Sequence, residues 1–296
     1  LRKPPSVDMP SRESSPLTRR DWLRRCAAGG ATLALGTGLY AWRVEPHWVE
    51  VTHHAMPFVG LPAALVGKRL VQISDLHVGP VVDNDYLRGV LRRLADLEPD
   101  YLAITGDFMT TRGDEEIDLT IETLREAPIA DTPTVAVLGN HDYADNFRNA
   151  AVADRFADRL RDLGIRLLRN ESIELDGLQV AGCDDLWARR ADLFATLNQV
   201  ELSRPTLCLS HNPDTVDLAG WTTFSGWVLS GHTHGGQCRF PLLGAPVLPI
   251  RNHRYARGHV RLSGGRNLYV NRGLGYSRRV RLGVRPEVTV FTLTTA

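Results

Sequence analysis

Five short apolar runs each stop abruptly at small and metal-capable residues, and this repetition constrains the fold more than any other feature of the chain. Residues 69–73 run into Ser74-Asp75-Leu76-His77, 101–105 into Gly106-Asp107, and 134–138 into Gly139-Asn140-His141-Asp142. Residues 206–209 run into Ser210-His211-Asn212, and 226–229 into Ser230-Gly231-His232-Thr233-His234. Four or five β-prone residues bounded by Gly or Ser read as buried strands. Between them, stretches at about 85–97, 115–125 and 146–163 are amphipathic with charged outer faces, which predicts helices. Alternating strands and helices mean an α/β architecture. From about Gln179 onward further strand-like runs, such as 268–270 and 288–292, come with fewer helices, so two packed sheets flanked by helices are expected.

In open α/β sheets the ligand site lies beyond the carboxyl ends of the strands, and every candidate ligand here sits at such an end. Gly106, Gly139 and Gly231 are expected to supply the backbone freedom that a tight turn out of each strand needs. Asp75, His77, Asp107, Asn140, His211, His232 and His234 offer four imidazoles, two carboxylates and an amide, without a thiolate. That nitrogen and oxygen set suits Zn, Mn, Fe or Co. It is too large for one tetrahedral ion. Two divalent ions sharing a carboxylate account for it, and paired ions about 3.5–4 Å apart are the usual device for phosphoester displacement.

The order D-x-H, G-D, G-N-H-D, H, G-H-x-H resembles the calcineurin-like metallophosphoesterase family, over residues from about 68 to 296. The resemblance implies two mixed sheets in a four-layer α/β/β/α sandwich. It also implies that Asp75, His77 and His234 bind one ion, that Asn140, His211 and His232 bind the other, and that Asp107 bridges them. His141 would then be the catalytic residue, facing the substrate, where an imidazole can protonate the leaving oxygen. The charges agree with such a site. Two divalent ions less two carboxylates and a hydroxide leave about +1 to meet a phosphate, and metal binding brings the pKa of water from about 15.7 towards 7. Asp142 either orients an imidazole or caps a turn. Gly235, with Gly236, lets backbone approach the site, and Asn212 and Asp184 are weaker supporting candidates. His47, His53, His54, His253 and His259 lie outside the motifs. An Arg often follows the G-D motif in the family, but none appears here before Arg112.

Residues 1–45 read as a twin-arginine signal or an N-terminal membrane anchor, and 46–296 as the catalytic domain. A basic start leads through Thr18-Arg19-Arg20-Asp21-Trp22-Leu23, which resembles a twin-arginine export signal, into a weakly hydrophobic run at 27–42. This run is shorter than the roughly 20 apolar residues of a stable span. The chain is therefore expected outside the cytoplasm, at the outer face of the cytoplasmic membrane or in the cell envelope, with the twin-arginine machinery as a partner. The formal net charge of +1 hides a local asymmetry: ten arginines and no Asp or Glu fall between 251 and 286. They form either solvated strand faces or a surface for anionic headgroups. No nucleic-acid partner is expected. Four scattered cysteines, without a C-x-x-C pair, suggest neither a zinc ribbon nor a disulfide framework. The expected activity is in-line hydrolysis of a phosphodiester or pyrophosphate of a membrane lipid or envelope component, by a hydroxide generated at the metals. A soluble phosphomonoesterase or nucleotide phosphodiesterase is the alternative, and a non-catalytic metal-binding module a third reading.

Overall fold

A computed structural model describes residues 18–221 and 224–296. Residues 1–17, the basic start of the segment expected to direct export, lie outside the described residues. Contacts divide the chain into Leu1–Tyr40 and Ala41–Ala296. The first unit holds helix α1 (Arg19–Leu39), capped by Thr18, whose hydroxyl oxygen accepts from Asp21 N at 3.2 Å. None of the α1 side chains is buried. Among the described residues no helix is long and apolar enough to cross a membrane.

The second unit is built on two six-stranded sheets. In chain order the first receives β1 (Glu50–Phe58), β2 (Arg69–Ile73), β3 (Tyr101–Thr105), β4 (Thr134–Val137) and β5 (Arg166–Leu167). The second receives β6 (Glu171–Leu175), β7 (Leu178–Cys183), β8 (Thr206–Ser210), β9 (Trp227–Ser230), β10 (Gly258–Arg261) and β11 (Asn267–Val270). The last strand, β12 (Glu287–Thr295), returns to the first sheet and pairs parallel with β1 and antiparallel with β2. Strand order is β1-β12-β2-β3-β4-β5 in one sheet and β10-β11-β9-β8-β7-β6 in the other, with β2 to β5 mutually parallel and β7, β8, β9 and β11 likewise. Both sheets are mixed, as expected.

The period of two along each strand sets the layers. Tyr101 and Ala103 of β3 share a buried cluster with Leu207 and Leu209 of β8, Leu229 of β9 and Phe291 of β12, which is the seam between the sheets. Leu102 and Ile104, one residue out of phase, pack instead with Leu87 and Leu91 of α2 (Asn84–Arg92), Ile121 of α3 (Asp114–Leu124) and Phe156 of α4 (Ala150–Asp162). Cys208 and Val228 turn the other way, towards Leu193 and Leu197 of α5 (Leu193–Leu197). Four layers result. Each fully buried Ile or Leu in them contributes about 1.5–3 kcal/mol.

Two helix boundaries differ from the sequence reading. The helix expected over 85–97 ends at Arg92, and a separate short turn covers Ala95–Leu97. The one expected from 146 starts at Ala150, because Asn149 caps it by accepting from Val152 N, and Asn146 and Phe147 before it have left-handed φ values of 56°. Those two residues belong to the rim of the site.

Candidate metal centre

All the predicted site residues are brought to one place, where the carboxyl ends of β2, β3 and β4 meet those of β8 and β9. Backbone bonds stitch the exits together: Asp75 N donates to Gly106 O at 2.9 Å, and His77 N to Asp107 O at 3.0 Å. Asp75, His77, Asp107, His232 and His234 all have φ between 49° and 71°. A left-handed conformation costs a residue with a Cβ roughly 1–2 kcal/mol, so the surrounding structure holds these five against strain. Asp142 is one reason it can. Its carboxylate accepts four backbone N–H groups, from Gly139 (2.8 Å), Phe108 (2.9 Å), Asp107 (3.0 Å) and Met109 (3.0 Å). Of the two roles open to Asp142, the structure shows the cap: it fixes the Asp107 backbone and touches no imidazole. The Asp75 carboxylate likewise accepts His232 N, at 3.0 and 3.1 Å, and so ties β2 to β9.

Glycines make this crowding possible, though of the three expected to turn the chain out of a strand only Gly106, at φ 85°, does so through backbone freedom. A Cβ on Gly106 would also meet Gly139 N at 2.6 Å and His211 Nδ1 at 2.7 Å. Gly139 and Gly231 have no positive φ; a Cβ there would collide with Asp107 and with Ser74 and Asp75. Their expected turn role is thus corrected to one of space. Gly235, with φ 60°, has both reasons: a Cβ would lie 2.6 Å from Val284.

The imidazoles are oriented by their outer nitrogens. His211 Nδ1 donates to Thr105 O at 2.7 Å, and His232 Nε2 to Pro249 O at 2.9 Å. The proton is therefore on the outside in each, and the lone pairs of His211 Nε2 and His232 Nδ1, 3.1 Å apart, point inward. On the other side His77 Nε2 and His234 Nε2 stand 2.9 Å apart, with Asp75 Oδ1 3.3 Å from the latter. Asp107 Oδ2 lies between the pairs, 3.1 Å from His211 Nε2 and 3.7 Å from His77 Nε2. Asp75, His77 and His234 form one group of converging ligand atoms, and Asp107, His211 and His232 another. Both amide atoms of Asn140 are buried without a hydrogen-bond partner. An orphaned buried amide costs about 1–3 kcal/mol unless something unseen satisfies it. Inward lone pairs, two carboxylates and a free amide are the donor set a divalent cation requires, and the residues present fit one.

The electrostatics agree. Burial pushes Asp75 up to about 7, helped by Asp107 and opposed by His211. Burial lowers His77 and His232 to about 3, with His141 and His211 respectively adding to the effect. His211 goes the other way. Burial works against its protonation, but the Asp107, Asp75 and Asp185 carboxylates raise it to about 10. Burial lowers His234 as well, and a pocket that keeps three imidazoles neutral while its carboxylates favour positive charge at the fourth is one that seeks a cation.

A sequence model of the calcineurin-like phosphoesterases matches residues 68–236. The chain belongs to that family. It is 31% identical over 287 residues to the metallophosphoesterase YkuE of Bacillus subtilis, covering 94% of this chain and 98% of that protein. It is 30% identical over 284 residues to the phosphodiesterase YaeI of Escherichia coli, covering 94% and 99%. With the UDP-2,3-diacylglucosamine pyrophosphatase LpxG of Chlamydia trachomatis it shares 30% over 306 residues, covering 85% and 91%. As a member of the family this metallophosphoesterase is a phosphoric ester hydrolase, and its clustered ligand residues belong to a divalent-metal site.

Other expectations need revision. Asn212 is a cap, its side-chain oxygen accepting from Asp214 N, and Asp184 is held by Tyr143 Oη at 2.6 Å and Arg169 Nε at 3.0 Å. Neither touches a ligand side chain. The arginine-rich segment is not one surface. Arg281 is fully buried, its guanidinium donating to the carbonyls of Arg272, Gly273, Gly275 and Val284. Arg272 pairs with Glu287 and Glu50, and Arg285 with Glu50. His47 and His54 are engaged by Tyr276 and Tyr269, and all four cysteines are free. The sequence reading passed over Asp185. It is wholly buried just beyond β7, burial raises it to about 7, and its Oδ2 has no partner. The rule that found the ligands, a polar residue at a strand's carboxyl end, would have found it too. Phe147 and Trp187 gave no such signal, yet their rings lie 5.0 Å from His141 and 4.5 Å from His232.

Proposed function

We propose that this chain is a dinuclear hydrolase of a phosphodiester or diphosphate carried by a membrane lipid or envelope component, acting outside the cytoplasm. Asp75, His77 and His234 would hold one ion and Asn140, His211 and His232 the other, with Asp107 placed to serve both. The observation that carries this is Asp107 Oδ2 standing between the two inward-facing groups. Zn, Mn, Fe and Co all suit the donors. Divalent ions held there would offer positive charge to the phosphate and would bring the pKa of a water molecule towards about 7. The protein's own residues do the rest. Asp142 and Asp75 fix the strained backbone, and the Thr105 and Pro249 carbonyls set the imidazole tautomers. His141 is placed by its N–H to Asp107 Oδ1 at 2.9 Å, and its Nδ1 is buried without a partner. That nitrogen holds the proton for the leaving oxygen.

Two relatives bear the names of a phosphodiesterase and of a pyrophosphatase of a diacylated sugar nucleotide, which favours these bonds over a monoester. A membrane partner is supported by the loop after the G-H-T-H block. There Leu242, Leu243 and Val247 are strongly exposed, while Ala245 and Leu248 press on Gly236, two residues from His234. Beside it Arg239 and Arg257 have no ion-pair partner among the described residues. An apolar tip on a loop that carries arginines without an acid partner fits an anionic bilayer surface. Turnover of bis(p-nitrophenyl) phosphate by the Mn- or Zn-loaded chain is the direct test, and no turnover with any of the four metals refutes the enzyme reading. Export is checked by replacing Arg19 and Arg20 with Lys and following where the protein accumulates; unchanged delivery rejects the twin-arginine route.

A further inference from the structure

Beside the metal centre opens a cleft of about 700 Å³ whose composition the hydrolytic residues do not explain. Its inner wall is aromatic. Phe147 and Trp187, 6.0 Å apart, continue the rings of His141 and His232 outward from the centre. Its floor reaches Ile250, next to the Pro249 carbonyl that orients His232. Its charge comes from Arg148, Arg189 and Arg251, none of which has an ion-pair partner among the described residues. The two acids on the same wall are turned to neutral donors, Asp214 accepting Arg251 N and Asn252 N, and Asp217 accepting Asn252 Nδ2 and Tyr255 Oη, so three guanidiniums stand against two carboxylates. Three arginines without an acid partner among the described residues thus line a space whose aromatic wall starts against His232. Phe147 and Arg189 on its wall are held at φ 56° and 60°, a strain that loops retain at ligand-binding positions.

A phosphomonoester would be consumed at the centre and leave the excess positive charge of this wall unused. We infer that the cleft is a second-phosphate subsite, which selects organic diphosphates by seating the phosphate beyond the scissile one among Arg148, Arg189 and Arg251 and its organic group against Phe147 and Trp187. Guanidinium forks match phosphate oxygens, and aromatic faces take planar or apolar groups. The inference deepens the phosphoester-hydrolase reading and rests on it. In the reaction the oxygen of one water bonds to the phosphorus at the centre, and the bridging P–O bond breaks. The bridging oxygen leaves with the second phosphate, the water's protons are shared between products and solvent, and two monoesters result.

P1,P2-diphenyl diphosphate and diphenyl phosphate differ by one phosphate and share their rings, so they isolate the subsite. With the full chain in chelator, where nothing is hydrolysed, titration calorimetry is expected to show the diphosphate binding at least tenfold tighter than the monophosphate diester. The triple variant R148Q/R189Q/R251Q, with its fold checked by circular dichroism, should reduce that preference at least tenfold, and Trp187→Ala should weaken both ligands. No preference in the unmodified chain, or a preference the triple variant keeps, overturns the subsite. With metal restored, the ratio of kcat/KM for the two substrates should fall in parallel. Failure to turn over either substrate would count against the hydrolase reading, while the calorimetry decides the subsite by itself.

Discussion

The metal centre gathers its charges, whereas the arginine-rich segment 251–285 scatters them. Around the centre, residues from five strand ends converge until ligand atoms stand about 3 Å apart, and the backbone is strained to allow it. In the segment, neighbouring arginines go to different fates: Arg281 into the interior, Arg272 to an acid pair, Arg266 to the Val216 carbonyl, and Arg254 and Arg261 to solvent. Spacing against secondary structure predicts convergence, because it fixes which end of a strand a residue occupies. Composition does not, because it says nothing of which way each side chain faces.

The sharpest attempt to break this contrast is Asp107→Asn. It should lower kcat/KM for bis(p-nitrophenyl) phosphate by at least about 10³-fold, the scale of losing a central electrostatic group; near-normal turnover would mean that convergence is not function. Next comes Arg281→Met. Gly273 and Gly275 pack on Asp75 and Leu76, and Arg281 holds their carbonyls. Stranding those acceptors should cost about 3 kcal/mol in urea unfolding. Arg261→Gln, eleven sequence positions from Arg272 among similar neighbours, should leave the unfolding midpoint where it is. Equal effects from the two arginines would erase the distinction drawn within the segment. Metal should also matter to the fold: Mn or Zn at about 100 times its Kd should add roughly 2.7 kcal/mol, seen as a thermal midpoint several degrees above that in chelator. In Asp107→Asn this increment should shrink.

The smallest effect lies between the regions. Glu287 is the acid that draws Arg272 inward. Burial works to raise its pKa, but the Arg272 guanidinium, with Tyr269 and Thr52, holds it below the ordinary 4.5. A depressed carboxylate stabilises the fold fully above its unfolded pKa and loses that contribution as pH falls through the folded value. Glu287→Gln should therefore be less stable than the parent near neutrality, and its stability should fall less between pH 4.5 and lower pH. A parallel acid limb in the two proteins would remove the ion pair from the account of the segment.

Much of the site was legible because its chemistry is local. A strand, a glycine and a metal-capable side chain occur together within six or seven residues, and the parallel arrangement brings those ends to one edge. Asp142 was half legible: its place beside Asn140 and His141 was visible, but its four N–H donors come partly from the β3 exit, some 35 positions away. Phe147, Trp187 and the cleft arginines were not legible, since they lie in irregular loops with no period to read. The partners of the arginine-rich segment were hidden for a similar reason. Glu50 and Glu287 lie outside it, and they stand opposite each other, both on Arg272, only where β12 pairs with β1.

By itself the sequence determined the two-sheet α/β class and the set of residues able to hold divalent ions, because both follow from short-range pattern. Only the tertiary structure decided which lone pairs face inward, that Gly139 and Gly231 are needed for room, that Asp142 caps a backbone, and that an aromatic and basic cleft opens beside His232. Those properties depend on distances between segments far apart in the chain, which no local pattern encodes.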